Sequence, residues 1–189
     1  MKATSPGAPS GSAARDRLLE TATRLFYADG IHAVGIDRII AGADVAKATF
    51  YKHFPSKDDL VVAYLEEQGR IGREAVAALP RKLPREMIVA ILSRIAKSAS
   101  ADGYRGCPFL NAAAEYPDPS SPVRQVVDRY RTWQRETFRT LIVEVGAPSP
   151  ARMADLLVAL SDGLLESAYL DDPKRIPALI SSAVTILLP

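Results

Sequence analysis

The sequence predicts an all-α protein of about nine helices, in which a small three-helix domain is followed by a larger helical domain. Apolar residues recur at intervals of three and four along almost the whole chain, which is the helical period, and no convincing strand alternation interrupts them. Prolines, glycines and short polar residues stand where these apolar stripes begin and end. The 189 residues, 48% of them hydrophobic, suffice for a substantial core.

The sequence predicts that the N-terminal part is an arm followed by a helix. Residues 1–12 are rich in Pro, Gly, Ser and Ala, which predicts a disordered arm. The next helix ends near Gly30 and carries an apolar stripe formed by Leu18, Ala22, Leu25 and Phe26. We expect residues 13–58 to form the first domain and residues 59–189 the second.

The helices of the second domain have recognisable starts. Ser56 and Asp59 form an S-x-x-D capping box for a long helix that is expected to run to about Leu79. Ser149 is the predicted N-cap of a later helix, and Pro177 is expected to delay the last helix by a turn. Prolines mark the remaining starts, at Pro84, Pro108, Pro122, Pro150 and Pro173.

Composition excludes several classes of protein. The single cysteine, Cys107, rules out an intrachain disulfide and suits a reducing compartment. No signal-peptide run is present, and no window approaches the roughly 18 apolar residues of a membrane span. No metal-ligand spacing is found either. We therefore expect a soluble, cytoplasmic protein that needs no metal or other cofactor.

Net charge gives no support for nucleic-acid binding. The chain carries +2 overall, and residues 12–68 hold seven basic and nine acidic side chains, a charge of −2 with histidine neutral. An interface with nucleic acid must therefore be argued from where the basic residues lie.

Residues 36–54 have the pattern of a helix-turn-helix. Three isoleucines share one face of a short first helix, and Asp44 supplies a turn residue that tolerates a left-handed backbone. In the second short helix, Phe50 and Phe54 are four residues apart on a face suited to a core. The other face carries groups that recognise DNA, and Lys47 can donate to phosphate or to guanine acceptors.

The predicted DNA contacts combine three kinds of chemistry. Small side chains allow close approach to base edges and present methyl groups to thymine. Tyrosine and histidine can hydrogen-bond phosphates and fix the register. Lys57 stands in the first turn of a helix, where a phosphate would be held by its ammonium and by free backbone N–H groups. The predicted contacts are Arg38, Ala46, Lys47, Ala48, Thr49, Tyr51, Lys52, His53 and Lys57. The alternative is that the lysines are solvated surface residues and that Arg38 only pairs with Asp37 or Glu20.

The run 45–60, VAKATFYKHFPSKDDL, with the helix before it, closely resembles the TetR/AcrR family of bacterial transcriptional regulators. The resemblance covers roughly residues 15–68. It implies a three-helix DNA-binding domain, a helical ligand-binding and dimerising domain, and repression of an operator that a small molecule relieves. Val34 and Gly35 replace hydroxyl residues common in the family, so they are discounted as side-chain contacts. Asp44 replaces a common glycine and places negative charge near the DNA.

The second domain offers a candidate effector pocket and a candidate dimer interface. The pocket candidates are Cys107, Phe109, Asn111, Tyr130, Trp133, Phe138 and Tyr169. For Tyr130, Trp133 and Phe138, taken one at a time, helical spacing favours packing in the core over lining a pocket. The dimer candidates lie on the last two long helices: Leu156, Leu160, Gly163, Leu164, Ile180, Ala183 and Leu187. By resemblance, these helices form a four-helix bundle with their symmetry mates, and paired recognition helices would then lie about one DNA turn apart.

Two other functions remain open. One is an all-helical enzyme that uses Cys107 with His32 or His53, for which no catalytic or metal spacing is found. The other is a helical DNA-binding protein that has no effector. We expect a protein that is not an enzyme and whose partners are double-stranded operator DNA, an unknown small molecule and a second copy of the chain, with no membrane partner.

Overall fold

Nine α-helices and one short 3-10 turn form the described part of the chain, which comprises residues 11–99, 101 and 103–188 of a computed structural model. These residues contain no strand, so the all-α prediction is confirmed. The 3-10 turn, Pro173–Arg175, precedes the last helix. The helices are α1 Gly11–Asp29, α2 Ile36–Ala43, α3 Lys47–His53, α4 Lys57–Ala77, α5 Pro84–Ala99, α6 Pro108–Glu115, α7 Pro122–Val145, α8 Pro150–Leu170 and α9 Ile176–Leu187.

The described residues begin with α1. Because α1 begins at Gly11, the last two residues of the predicted arm, 1–12, belong to a helix. The rest of the predicted arm, residues 1–10, lies outside the described part of the chain.

The chain divides into two compact units between Tyr64 and Leu65. We call them the N-terminal unit and the C-terminal unit. The division falls inside α4, whose helical hydrogen bonding continues through it. The functional boundary between residues 58 and 59 stays a prediction. None of the described helices combines the length and the apolarity that a membrane crossing requires.

The N-terminal unit is built around side chains that the sequence pattern identified. Leu18 and Ala22 of α1 are completely buried, together with Ile39 of α2 and Phe50 of α3. The Nε of Arg17 donates a hydrogen bond to the carbonyl of Ala43 at 3.1 Å. That bond satisfies one of the carbonyls left unpaired at the end of α2 and ties α2 to α1.

The C-terminal unit has its own core, formed where α5, α7, α8 and α9 pack on one another. Phe138 and Ile142 of α7, Leu157 of α8 and Ile176 of α9 are among its buried residues. The regular part of α9 begins at Ile176, after a 3-10 turn over Pro173–Arg175, so the predicted delay of the last helix is confirmed.

Ser149 is the N-cap residue of α8, as predicted, but its side chain makes no capping hydrogen bond. Its backbone lies in the left-handed region at φ 52°, whereas a side-chain cap needs extended backbone at that position. Ser121 does cap α7, since its Oγ accepts a hydrogen bond from the backbone N–H of Arg124 at 3.2 Å.

Candidate functional site

A tight turn joins α2 to α3. Asp44 ends α2 with φ 51° and ψ 58°, and its backbone N–H donates to the carbonyls of Ile40 and Ala41. A left-handed residue at this point ends the helix and satisfies carbonyls at its end. The prediction that Asp44 supplies the left-handed turn residue is confirmed.

The two faces of α3 have opposite character. Phe50 is completely buried, and its ring lies 6.2 Å from that of Phe54. On the other side, Lys47 and Ala48 are exposed, and Tyr51 is 45% exposed. The prediction that Phe50 and Phe54 belong to the core is confirmed. Their burial fixes the rotation of α3, so that the polar face is presented to solvent.

The predicted DNA contacts all retain surface. They lie on α2, on the N-cap and body of α3 and at the first residue of α4. Three of them are half-buried: Thr49, His53 and Lys57. The other six are exposed: Arg38, Ala46, Lys47, Ala48, Tyr51 and Lys52.

Ion pairs orient two of these cations. The Nζ of Lys47 lies 3.1 Å from Oδ1 of Asp37 and donates a hydrogen bond to it. That hydrogen bond and the charge of Asp37 raise the pKa of Lys47. Arg38 pairs with Asp29 at 2.7 Å, and not with Asp37 or Glu20, the partners that sequence reasoning offered.

Sequence reasoning missed Asp37 as a neighbour of the recognition helix. It stands ten residues before Lys47, a separation that carries no local signal, because the turn and the packing of α2 decide which side chains meet. The only hint in the sequence is that Asp37 falls in the first turn of α2, where an acid is favoured in any case.

The residues that begin the helices around the site are those that the sequence predicted. Ser56 and Asp59 form the predicted capping box: Oδ2 of Asp59 accepts from the backbone N–H of Ser56 at 2.9 Å, and Oγ of Ser56 accepts from that of Asp59 at 3.1 Å. Gly35 is the N-cap of α2 and supplies no side-chain bond. Val34 is completely buried, so its side chain has no surface with which to contact DNA.

Three of the predicted pocket residues come together in the C-terminal unit. The rings of Phe109 and Tyr130 stack at 3.9 Å with an angle of 4° between their planes, and Trp133 lies 5.2 Å from Tyr130. Tyr130 packs closely on α4, because a β-carbon added to Gly72 would be 2.7 Å from its hydroxyl. Burial raises the pKa of Tyr130 to about 12.

The polar pocket candidates surround the start of α6. Cys107 is the N-cap residue of α6, and burial raises the pKa of its thiol. Asn111 is exposed, and its Nδ2 donates to the carbonyl of Arg105 at 2.9 Å. Asp162 makes a two-bond ion pair with Arg131 at 2.8 and 3.1 Å. A thiol with a raised pKa is a poor nucleophile at neutral pH, which argues against an enzyme that uses Cys107.

The remaining two pocket candidates lie apart from this cluster. Phe138 belongs to the core of the C-terminal unit and is 2% exposed, so its ring is committed to packing. Tyr169 lies near the end of α8 and is 45% exposed to solvent.

The predicted dimer residues separate into two groups. Leu164 and Ile180 are 3% and 2% exposed, which makes them core residues of the protomer with little surface for a partner. Leu156 and Gly163 are exposed, and Leu160, Ala183 and Leu187 are half-buried. Sequence reasoning missed Leu179 and Ile186 of α9, which are exposed apolar side chains. Both helices are apolar on most sides, so periodicity alone could not tell the inward side from the outward one.

Comparison with known proteins identifies the N-terminal unit. The family "Bacterial regulatory proteins, tetR family" matches residues 18–64, which cover most of α1, all of α2 and α3 and the start of α4. Over 124 residues, the chain is 30% identical to the HTH-type transcriptional regulator LmrA of Bacillus subtilis, a match that covers 63% of this chain and 66% of LmrA.

Solved structures extend the similarity to nearly the whole chain. A TetR-family transcriptional regulator from Streptomyces coelicolor is 42% identical, with a TM-score of 0.88 over 93% of this chain and 94% of that one. A TetR transcriptional regulator from Streptomyces avermitilis is 31% identical, with a TM-score of 0.82 over 92% of this chain and 95% of that one. This similarity spans both units, and the chain therefore belongs to the TetR family of transcriptional regulators, with a DNA-binding helix-turn-helix in its N-terminal unit.

Proposed function

We propose that this regulator is a homodimeric repressor that binds an operator through α3 and leaves it when a small molecule binds the C-terminal unit. The observation that carries the proposal is the division of α3 into two faces. Phe50 anchors the helix in the core, and the opposite face presents an ammonium, methyl groups and a phenol to solvent. A helix of this kind fits the major groove, where such groups read base edges and phosphates.

The proposed contacts divide by chemistry. Lys47, Ala48 and Thr49 face the bases, because small side chains let the backbone approach and the ammonium donates to guanine. Tyr51 and Lys57 contact phosphates, which fix the position of the helix without reading sequence. The same interface takes in Arg38, Ala46, Lys52 and His53.

The proposed dimer uses the apolar surface that α8 and α9 leave exposed. Leu156 on α8 and Leu179 on α9 are a little less than half exposed, and Ile186 is 81% exposed. Where such side chains join into one apolar patch, they favour contact with another protein. In a two-fold symmetric dimer of this kind, we expect the two copies of α3 to contact successive turns of one DNA face.

The proposed effector site lies beside the aromatic cluster of Phe109, Tyr130 and Trp133. Aromatic walls with a few polar groups are typical of small-molecule sites. Here the polar groups come from Cys107 and from the ion pair of Arg131 with Asp162. This arrangement suits a ligand with an aromatic or lipophilic body.

Binding to the DNA upstream of the regulator's own gene tests the first part of the proposal. We expect a sequence-selective shift at moderate salt, and its absence would overturn the assignment as a repressor of that promoter. Lys57→Ala should weaken binding to all sequences and reduce the salt slope by about one counterion. Lys82→Ala, which removes the same charge from the C-terminal unit, serves as the control and should leave the slope unchanged.

A thermal-shift screen with lipophilic and aromatic compounds tests the effector. A ligand at a hundred times its Kd should stabilise the protein by about 2.7 kcal/mol. A true effector must also weaken DNA binding. If compounds that stabilise the protein leave its DNA affinity unchanged, the chain is better described as a constitutive DNA-binding protein.

A further inference from the structure

The carboxylate of Asp37 lies on the same surface as the ammonium of Lys47. Their closest atoms are 3.1 Å apart, and the two side chains are 84% and 63% exposed. The pair joins the first turn of α2 to the first residue of α3. Any DNA group that Lys47 contacts is therefore within a few ångströms of a negative charge.

The pair contributes little to the stability of the fold. Exposed ion pairs are screened by water and salt and are worth little. Phe50 and Ile39, which are completely buried, already hold α2 and α3 in place. The fold therefore does not depend on the ion pair of Asp37, although the helix dipole also favours an acid in the first turn of a helix. Asp37 can therefore act in DNA binding.

A carboxylate at a DNA surface has two effects. It repels phosphates, which weakens binding to every sequence. It can also accept a hydrogen bond from a base amino group, such as N4 of cytosine. Oδ1 of Asp37 is paired with Lys47, whereas Oδ2 has no partner among the described residues. Oδ2 is therefore open to such a donor.

We propose that Asp37 is a specificity-determining residue of the DNA interface: its carboxylate accepts a hydrogen bond from a base amino group while Lys47 donates to an adjacent base acceptor. The spacing fits a G·C pair, whose major-groove edge places the guanine O6 acceptor next to the cytosine N4 donor. DNA that lacks the amino group then meets an unsatisfied carboxylate, which penalises the wrong sequence. This inference rests on the proposed function, because it requires Lys47 to lie at the DNA.

Selection from a pool of randomised DNA duplexes tests the inference. The full-length wild type, Asp37→Asn, Asp37→Glu and Lys47→Ala are compared for the motif that each enriches and for binding to unselected duplexes. Glu20→Gln is the control, because it removes one negative charge from an exposed position on α1. Asp37 is so exposed that its variants should fold normally, which circular dichroism verifies.

We expect the wild type to enrich a motif with a G·C preference that Asp37→Asn reduces about tenfold at one position of each half-site. Binding of Asp37→Asn to unselected DNA should rise several-fold. Asp37→Glu keeps the charge but moves the carboxylate by one methylene, so it should alter preference at the same position without that rise. Lys47→Ala should weaken the preference at the same or the neighbouring pair.

Three other outcomes would contradict the role of Asp37, its contact with a base, or the proposed function. If Asp37→Asn enriches the wild-type motif unchanged, Asp37 does not determine specificity and this inference alone fails. If Asp37→Glu enriches the wild-type motif while Asp37→Asn does not, charge suffices and the base contact is wrong. If the wild type enriches no motif at all, the proposed function fails together with the inference.

Discussion

Gly42 of α2 lies directly against Thr21 of α1: a β-carbon added to Gly42 would be 2.9 Å from the Thr21 methyl carbon, Cγ2. Thr21 is buried, so its side chain has little room to yield. The absence of a side chain at position 42 therefore lets α2 approach α1 closely. That approach helps to set the orientation in which α2 carries Asp37 and Arg38.

Gly42→Ala should destabilise the protein by about 1 kcal/mol. The added methyl group overpacks the contact at a cost of roughly 1–3 kcal/mol, which outweighs a gain of about 1 kcal/mol in helix propensity. In a Thr21→Ser background the opposing methyl group is gone, and the same Gly42→Ala change should become neutral or stabilising. Urea unfolding followed by circular dichroism measures both effects. A Gly42→Ala cost that is equal in the two backgrounds would contradict the close contact.

Substitutions of Asp44 separate the effect of backbone strain on stability from the effect of charge on DNA binding. It adopts φ 51°, a region that costs side-chain-bearing residues energy. We expect Asp44→Gly to stabilise the protein by about 0.5–1 kcal/mol. Asp44→Asn should leave stability nearly unchanged, because asparagine tolerates the same conformation.

Both Asp44 variants should bind DNA more tightly than the wild type if Asp44 lies near phosphates, because each removes a negative charge. Affinity measured at two salt concentrations checks this, since the gain should shrink at high salt. A gain seen only with Asp44→Gly would point to backbone geometry as the cause.

Much of the site could be predicted because it depends on local spacing. The interval of four between Phe50 and Phe54 identified the inner face of α3, and the spacing of Ser56 and Asp59 identified the start of α4. The partners of Lys47 could not be predicted, because Asp37 reaches it only across a turn and through the packing of two helices.

The C-terminal unit was harder to predict for a related reason. In α8 and α9 apolar residues occupy most sides, so the helical period does not separate core from surface. Ile180 was predicted to face a partner and is buried, whereas its neighbour Leu179 is exposed. Which side faces inward depends on packing between helices: α8 packs on α5 and α7, and α9 packs on α5 and α8.

Tyr130 should make the stability of the protein depend on alkaline pH. Burial raises its pKa to about 12, above the value near 10 of an unfolded chain. The free energy of unfolding is therefore unaffected by ionisation of Tyr130 below about pH 10. It falls as the pH rises toward 12, by at most about 2.7 kcal/mol. Tyr130→Phe should show a flatter loss of stability between pH 10 and 12. Equal slopes for the two proteins would mean that the hydroxyl is not desolvated.

Cys107 should react slowly as a thiol. Burial raises its pKa, and the carboxylates of Asp162 and Glu166 add to the effect, although backbone N–H groups of Phe109 and Leu110 oppose it. Because only the thiolate is nucleophilic, the reactive fraction at neutral pH is small. We expect the rate of iodoacetamide alkylation to rise with a midpoint at higher pH in the folded protein than in urea, where the thiol is solvated. Limited access alone would lower the rate at every pH without moving the midpoint. A midpoint below that of the unfolded chain would instead mean that the site stabilises the thiolate, and Cys107 would then be a candidate for redox sensing.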